Sequence, residues 1–348
     1  MNNLHLDSCV GKNQTKRSLF GAGRVTSLGC GLLLVVALPL LRSSDAPQGA
    51  TEPERLGRHA VSRRNSLAAA CRESARWIDG QLDEPCSVVV HEPFVVAGDP
   101  SEQELHRRYH RSIAPAARAM AAAYFSTTPY EPVTILLFNR EETYRRHAAR
   151  LFGDRTVSRF GYYKPHLRVL LINTSTGDGP LWHELTHALM AFDFPDAPQW
   201  FAEGLASLHE TGRITNDGSH IEGQVNWRLG VLQEALQTGQ LRSVESLMAS
   251  DDFYGRDEHL HYAHARFVCL YLQHRGVLKP FYRQLRAGRD ATAEVFPDRS
   301  LKKVDADFRT FAKGLTQQKP SNLIRFQTAD RLRRIVRTEQ ILPRHPTR

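Results

Sequence analysis

Two hydrophobic periods divide this chain. The first half carries short, dense apolar runs bounded by turn residues. Val88-Val89-Val90 and then Phe94-Val95-Val96 predict extended chain over residues 87–96. The apolar runs at 132–138 and 167–172, rich in Leu, Val and Ile, predict two more strands. Between them lie helical stretches. Ser101 followed by Glu104 is a capping box that opens a long helix to about residue 125, despite Pro115, and residues 140–151 form another. A short helix is expected at 72–82. Past residue 180 the pattern is helical only. Pro180 suits a first helical position, Leu181, Leu185, Leu189 and Phe192 form one apolar stripe, and Pro195 and Pro198 stop the helix near Asp193. Asp196 and Pro198 open the next helix. After a polar loop containing Asn216-Asp217-Gly218, helices are expected at 225–237, 260–273, 279–287 and 300–315. No internal repeat is visible. Strands mixed with helices first, then helices alone, read as an α+β fold: a small N-terminal sheet and a mainly helical C-terminal half.

The ends differ from this body. Residues 25–41 are uncharged, densest in apolar side chains over 32–41, and follow Lys12, Lys16, Arg17 and Arg24; polar residues 42–46 come after. That is the shape of a secretory signal, and it is also near the lower length of a membrane anchor. The expected organisation is a signal peptide or anchor at 1–45, a polar linker and extension at 46–84, the main domain at 85–295, and a basic helical extension at 296–348. The export segment points to an extracytoplasmic place, with membrane association through the apolar stretch.

Composition bounds the rest. With 348 residues, 41% hydrophobic and 24% charged, the chain can build a sizeable core. Its net charge of +9 sits in the ends: four basic residues against one acidic in 1–24, and nine against two in 313–348. The body is near neutral, which excludes a globally basic nucleic-acid-binding domain. The Arg331, Arg333, Arg334 and Arg337 tail reads as a solvated segment, with anionic lipid or cell-wall polymer as the alternative. Cys71 and Cys86 either pair as a disulfide outside the cytoplasm or remain buried thiols with Cys269; both readings stay open.

The chemistry lies in His183-Glu184-Leu185-Thr186-His187 and Trp200-Phe201-Ala202-Glu203-Gly204-Leu205-Ala206. Histidines four apart on a helix project from one face. Catalytic zinc takes three protein ligands and keeps one position open. His183 and His187 supply two, and Glu203, on a helix reached through a short loop, is placed to supply the third. Glu184 stands beside the ion, free to accept a proton from water.

HELTH and WFAEGLA, with fifteen residues between His187 and Glu203, resemble the gluzincin zinc metallopeptidases, in particular the peptidase MA-like group. The second motif is also similar to Trp-x-x-Glu-Gly-x-Ala of zinc aminopeptidases, although no Gly-x-Met-Glu-Asn segment is present, a departure from that pattern. Weaker similarity covers residues 88–290, including Asn139-Arg140-Glu141-Glu142, Gly161-Tyr162-Tyr163 and Tyr262-Ala263. The resemblance implies a zincin-like fold with the metal between its halves. It implies one catalytic Zn²⁺ on His183, His187 and Glu203, Glu184 as general base, and hydrolysis of peptide bonds in a peptide or protein substrate. It places a Tyr or His of a downstream helix at the developing oxyanion: Tyr262 is the expected donor, with His261 and His264 competing. It also implies that the strand before the zinc helix, residues 168–173, pairs with extended substrate, whereas the sequence of that run equally allows an interior strand. Trp200 is expected to pack between the two zinc-site helices, and Gly204 to let them approach. A non-catalytic scaffold of the same fold, and a hydrolase of non-peptide amides, are the competing readings.

Overall fold

The computed structural model describes residues 52–83 and 85–316, of which 52–64 are described as backbone. The apolar segment 25–41, Cys9, Cys30 and the basic tail beyond residue 316 lie outside the described residues.

Helix α1 (Glu52–Asp79) leads into the hairpin β1 (Ser87–His91) and β2 (Phe94–Gly98). α2 (Glu102–Arg108) and α3 (Ala114–Ala123) form one helical stretch, joined by a single π-helical segment, Tyr109–Ile113. Ser101 caps it by accepting from the Glu104 amide, as the sequence predicts. β3 (Val133–Phe138), α4 (Glu141–Phe152), β4 (Gly161–Lys164) and β5 (Val169–Asn173) complete the N-terminal half.

The sheet order is β1-β2-β3-β5-β4. β2, β3 and β5 run parallel, and β1 and β4 are antiparallel edges. The parallel strands are buried on both faces, which is why they read as near-continuous apolar runs. On one face Cys71 and Ile78 of α1 and Tyr144 and Ala148 of α4 pack on Val95, Ala97, Leu136, Phe138 and Leu171. On the other, Leu105, Met120 and Leu185 pack on Val96, Ile135, Leu137 and Leu170.

The C-terminal half begins with α5 (Gly179–Asp193) and α6 (Gln199–Glu210). The small ribbon β6 (Gly212–Ile214) and β7 (Ile221–Gly223) follows. Then come α7 (Leu229–Gln237), α8 (Val244–Met248), α9 (Glu258–His274), α10 (Leu278–Arg286), α11 (Ala291–Val295) and α12 (Leu301–Gly314). The molecule is α+β, with a small sheet beside a helical half.

Several expectations need correction. The helix expected at 72–82 is the end of α1, which spans most of the expected linker and extension; Pro53 fits its first turn, and Arg, Ala and Leu sustain it. α1 covers a sheet face, so it belongs to the core rather than to an extension. α12 does too: Val304, Phe308 and Ala312 are buried against the helical half. The extended run at 87–96 folds back at Glu92-Pro93 into two strands. The strand at 168–173 is interior, because β4 takes the edge beyond it. Of the two readings left open for the cysteines, the free-thiol one holds: Cys71, Cys86 and Cys269 are free, Cys86 only partly buried.

Candidate metal centre

α5 carries His183, Glu184 and His187, and α6, folded back after a five-residue turn, carries Glu203. Their placement starts from packing. Leu181, Leu185 and Leu189 bury one side of α5 against the sheet and α3. The imidazoles, a turn apart, emerge half-buried on the opposite side. Thr186 locks the helix to its neighbour: its hydroxyl donates to the Trp182 carbonyl at 2.7 Å and accepts from His209 Nδ1 of α6 at 2.9 Å. Burial, then the nearby charges of Arg266 and His183, push His209 down to about 3, so it stays neutral. At the C-terminal end of α5, buried Asp193 accepts from the Ser126 and Thr127 amides at 2.9 and 2.7 Å and from the Tyr282 hydroxyl at 2.7 Å. Burial alone would raise this carboxyl. The Tyr282, Thr127 and Ser126 hydrogen bonds and Arg286 outweigh it and hold the group below the usual carboxylate range.

The side chains meet at one point. His183 Nε2 and His187 Nε2 are 3.2 Å apart, and Glu203 Oε2 lies 3.3 Å from the first and 3.4 Å from the second. Ligand atoms around a tetrahedral zinc, each at roughly 2.0–2.1 Å, stand about 3.3–3.4 Å apart. The triangle therefore has the size and donor chemistry for that ion. Glu203 Oε2 is buried and makes no well-directed hydrogen bond among the described residues, as expected of an atom aimed at the triangle's centre. Among the described residues these three are the one such grouping of metal-ligating side chains. Burial would push the Glu203 carboxyl up, but the charge of His187 and the close imidazoles of both histidines hold it well below its usual range. Reciprocally, burial would lower His187 and the Glu203 carboxylate raises it. A cation at the centre would compete with protons for these three groups.

Glu184 is buried beside this triangle. Burial raises its pKa first; the charges of His183 and His187 lower it, and Glu203 and Glu210 add to the rise. Tyr262, half-buried on α9, has its ring centroid 6.4 Å from that of His183 and 5.1 Å from Phe253. The two competing histidines turn away. His261 Nδ1 donates to the Phe253 carbonyl at 2.8 Å, and His264 is buried in a stack on Phe308. Of the three, Tyr262 is the one whose ring lies beside that of His183.

Two other residues sit differently from expectation. A Cβ on Gly204 would lie 2.7 Å from the Ala265 carbonyl oxygen and 2.9 Å from Cys269 Sγ, so this glycine serves the approach of α6 to α9, not to α5. Trp200 packs edge-on against Phe281 of α10. Sequence reading missed Tyr254, whose hydroxyl donates to Glu203 Oε1 at 2.6 Å and orients the carboxylate. No spacing rule points to a tyrosine fifty-one residues downstream in an Asp- and Gly-rich turn.

Comparison with protein-family models and with curated proteins returns no match.

Proposed function

We propose that this protein is an exported zinc-dependent peptidase of the gluzincin, peptidase MA-like kind. The observation that carries the reading is the near-equilateral triangle of His183 Nε2, His187 Nε2 and Glu203 Oε2 with Glu184 alongside. His183, His187 and Glu203 would hold the ion, and Zn²⁺ there supplies Lewis acidity toward a carbonyl and toward water.

The chain's own residues do the rest. Glu184 takes the proton of the attacking water and returns it to the leaving amine; a buried carboxyl with a raised pKa suits both directions of transfer. The Tyr262 hydroxyl donates to the carbonyl oxygen as it gains charge. Tyr254 fixes the Glu203 carboxylate through Oε1 and leaves Oε2 for the metal. β4, the antiparallel edge, offers main-chain N–H and C=O groups to an extended substrate. This replaces the expected role of residues 168–173, because β5 has neighbours on both sides. The basic, then apolar N-terminal stretch supports an extracytoplasmic location.

The test is zinc content of the purified protein together with peptide cleavage. About one zinc per chain, lost in His187→Ala, with a peptide-cleaving activity that follows the metal, is the expected result. A folded protein that takes up no added zinc removes the reading in favour of a scaffold. A zinc-loaded protein that hydrolyses only non-peptide amides moves it to the other hydrolase class.

A further inference from the structure

One guanidinium beside the metal-ligand triangle has no part in the steps above. Arg228 occupies the turn before α7 and is 9% exposed. Its Cζ lies 4.1 Å from the ring centroid of Trp227, a tryptophan 53% exposed, and 6.0 Å from that of Tyr262. The Tyr262 ring is in turn 6.4 Å from His183. Arg228 Nη1 donates to Glu210 Oε2 at 2.7 Å. Among the described residues Nε and Nη2 have no acceptor, and neither is sealed from solvent. The edge of the guanidinium that carries these two nitrogens is a fork suited to a carboxylate.

The local charge balance points the same way. Arg266, fully buried on α9, donates to the Ser207 carbonyl, the Thr211 hydroxyl and the Gln224 carbonyl, all uncharged. Arg228 stands close enough to disfavour the charge of Arg266. Glu210 is thus one carboxylate against two guanidinium groups. The two guanidinium groups share that carboxylate in a buried place, where charge is poorly screened. Trp227 covers one face of Arg228 and keeps the fork rigid.

Resting on the peptidase reading, we infer that Arg228, walled by Trp227 and Tyr262 and held by Glu210, is a specificity-determining subsite for a substrate carboxylate. The steps of 6.4 Å and 6.0 Å from His183 to Arg228 reach no farther than about four extended residues at ~3.3 Å each. The carboxylate recognised is therefore within four residues of the cleaved bond. It is either an acidic side chain or a free C-terminus.

The experiment uses the zinc-loaded full-length protein and matched peptides. One series carries Glu or Gln at each of four positions on either side of the bond; another carries a free acid or an amide at the C-terminus. At one position the carboxylate raises kcat/KM at least tenfold, and in Arg228→Gln that ratio falls to near one. A gain with Glu assigns a side chain, and a gain only with the free acid assigns the terminus. If Arg228→Gln fails to hold zinc, Arg228→Lys takes its place, keeping the charge without the fork and giving an intermediate ratio. A parent ratio below two at every position overturns the inference, as does a tenfold ratio that survives in the variant. Zinc-loaded protein that cleaves no peptide removes the peptidase reading itself, a distinct result from cleavage without preference.

Discussion

Two histidine pairs in this molecule look alike by distance and differ in everything else. His183 and His187 bring their Nε2 atoms to 3.2 Å; His91 Nε2 and His106 Nδ1 come to 2.8 Å. In the first pair both nitrogens face a third atom, Glu203 Oε2. In the second they face each other, as donor and acceptor, and the nearest carboxylate, Glu102, is 3.6 Å from the far nitrogen of His106. His91 also lies flat against Tyr109 at 3.8 Å, and burial, then the charges of His106 and His110, lower its pKa. The two imidazoles satisfy one another there. The supports differ too: the first pair sits on one helix, α5, whereas the second joins the end of β1 to α2. Proximity of imidazoles is thus not enough for a metal centre. Convergence on a carboxylate that has no better partner is what distinguishes one.

The sharpest way to break this comparison is at Glu184. Glu184→Gln should keep its zinc and lose about 10²–10⁴-fold in turnover, the usual worth of a positioned proton-transfer group. In contrast, His91→Ala with His106→Ala should leave zinc content and turnover unchanged. Full activity in Glu184→Gln would sink the mechanism, and zinc lost from the double variant would make the second pair part of the metal centre.

Tyr262→Phe comes next, with turnover down about 10²-fold and zinc unchanged, as for loss of one oxyanion donor. A turnover within twofold of the parent would leave Tyr262 a packing residue. Tyr254→Phe makes the first pair more like the second, since Glu203 loses its orienting partner. Zinc affinity, read by chelator competition, should weaken roughly 10–100-fold; an unchanged affinity would show that packing alone holds the carboxylate.

The smallest effect concerns the anchoring of α5. Asp193→Asn should destabilise the protein by about 2–3 kcal/mol at neutral pH, because buried donors lose a charged acceptor. The Asp193 carboxyl titrates below its unfolded value of about 3.9, so its contribution is present above pH 4 and fades as pH falls through the folded pKa. Unfolding curves of parent and variant in chelator should therefore converge on acidification below about pH 4. A gap that stays constant would place the effect in packing.

The meeting of His183, His187 and Glu203 was legible from the sequence because it is local. His183 and His187 are one helical turn apart, so any helix presents them together, and the Pro-bounded turn at 195–198 leaves Glu203 little choice but to return beside them. Burial of Leu181, Leu185 and Leu189 then fixes which way the imidazoles face. The parallel strands were legible for a similar reason, as apolar runs dense enough to be buried on both faces.

What the sequence left open depended on partners distant along the chain. Gly161-Tyr162-Tyr163-Lys164 is too short and mixed to declare an edge strand, and only pairing with β5 makes it one. Tyr262, His261 and His264 are equivalent by type, and the rotation of α9 against α6, permitted by Gly204, turns the tyrosine alone toward His183. Tyr254 reaches Glu203, and Arg228 reaches both Glu210 and Trp227, across gaps that no periodicity encodes. The sequence by itself determined most of the helices, the buried strands and the pairing of His183 with His187 on one helix face, since these follow from spacing within one or two turns. Tertiary structure decided which groups surround His183, His187 and Glu203, because packing of whole elements sets those distances.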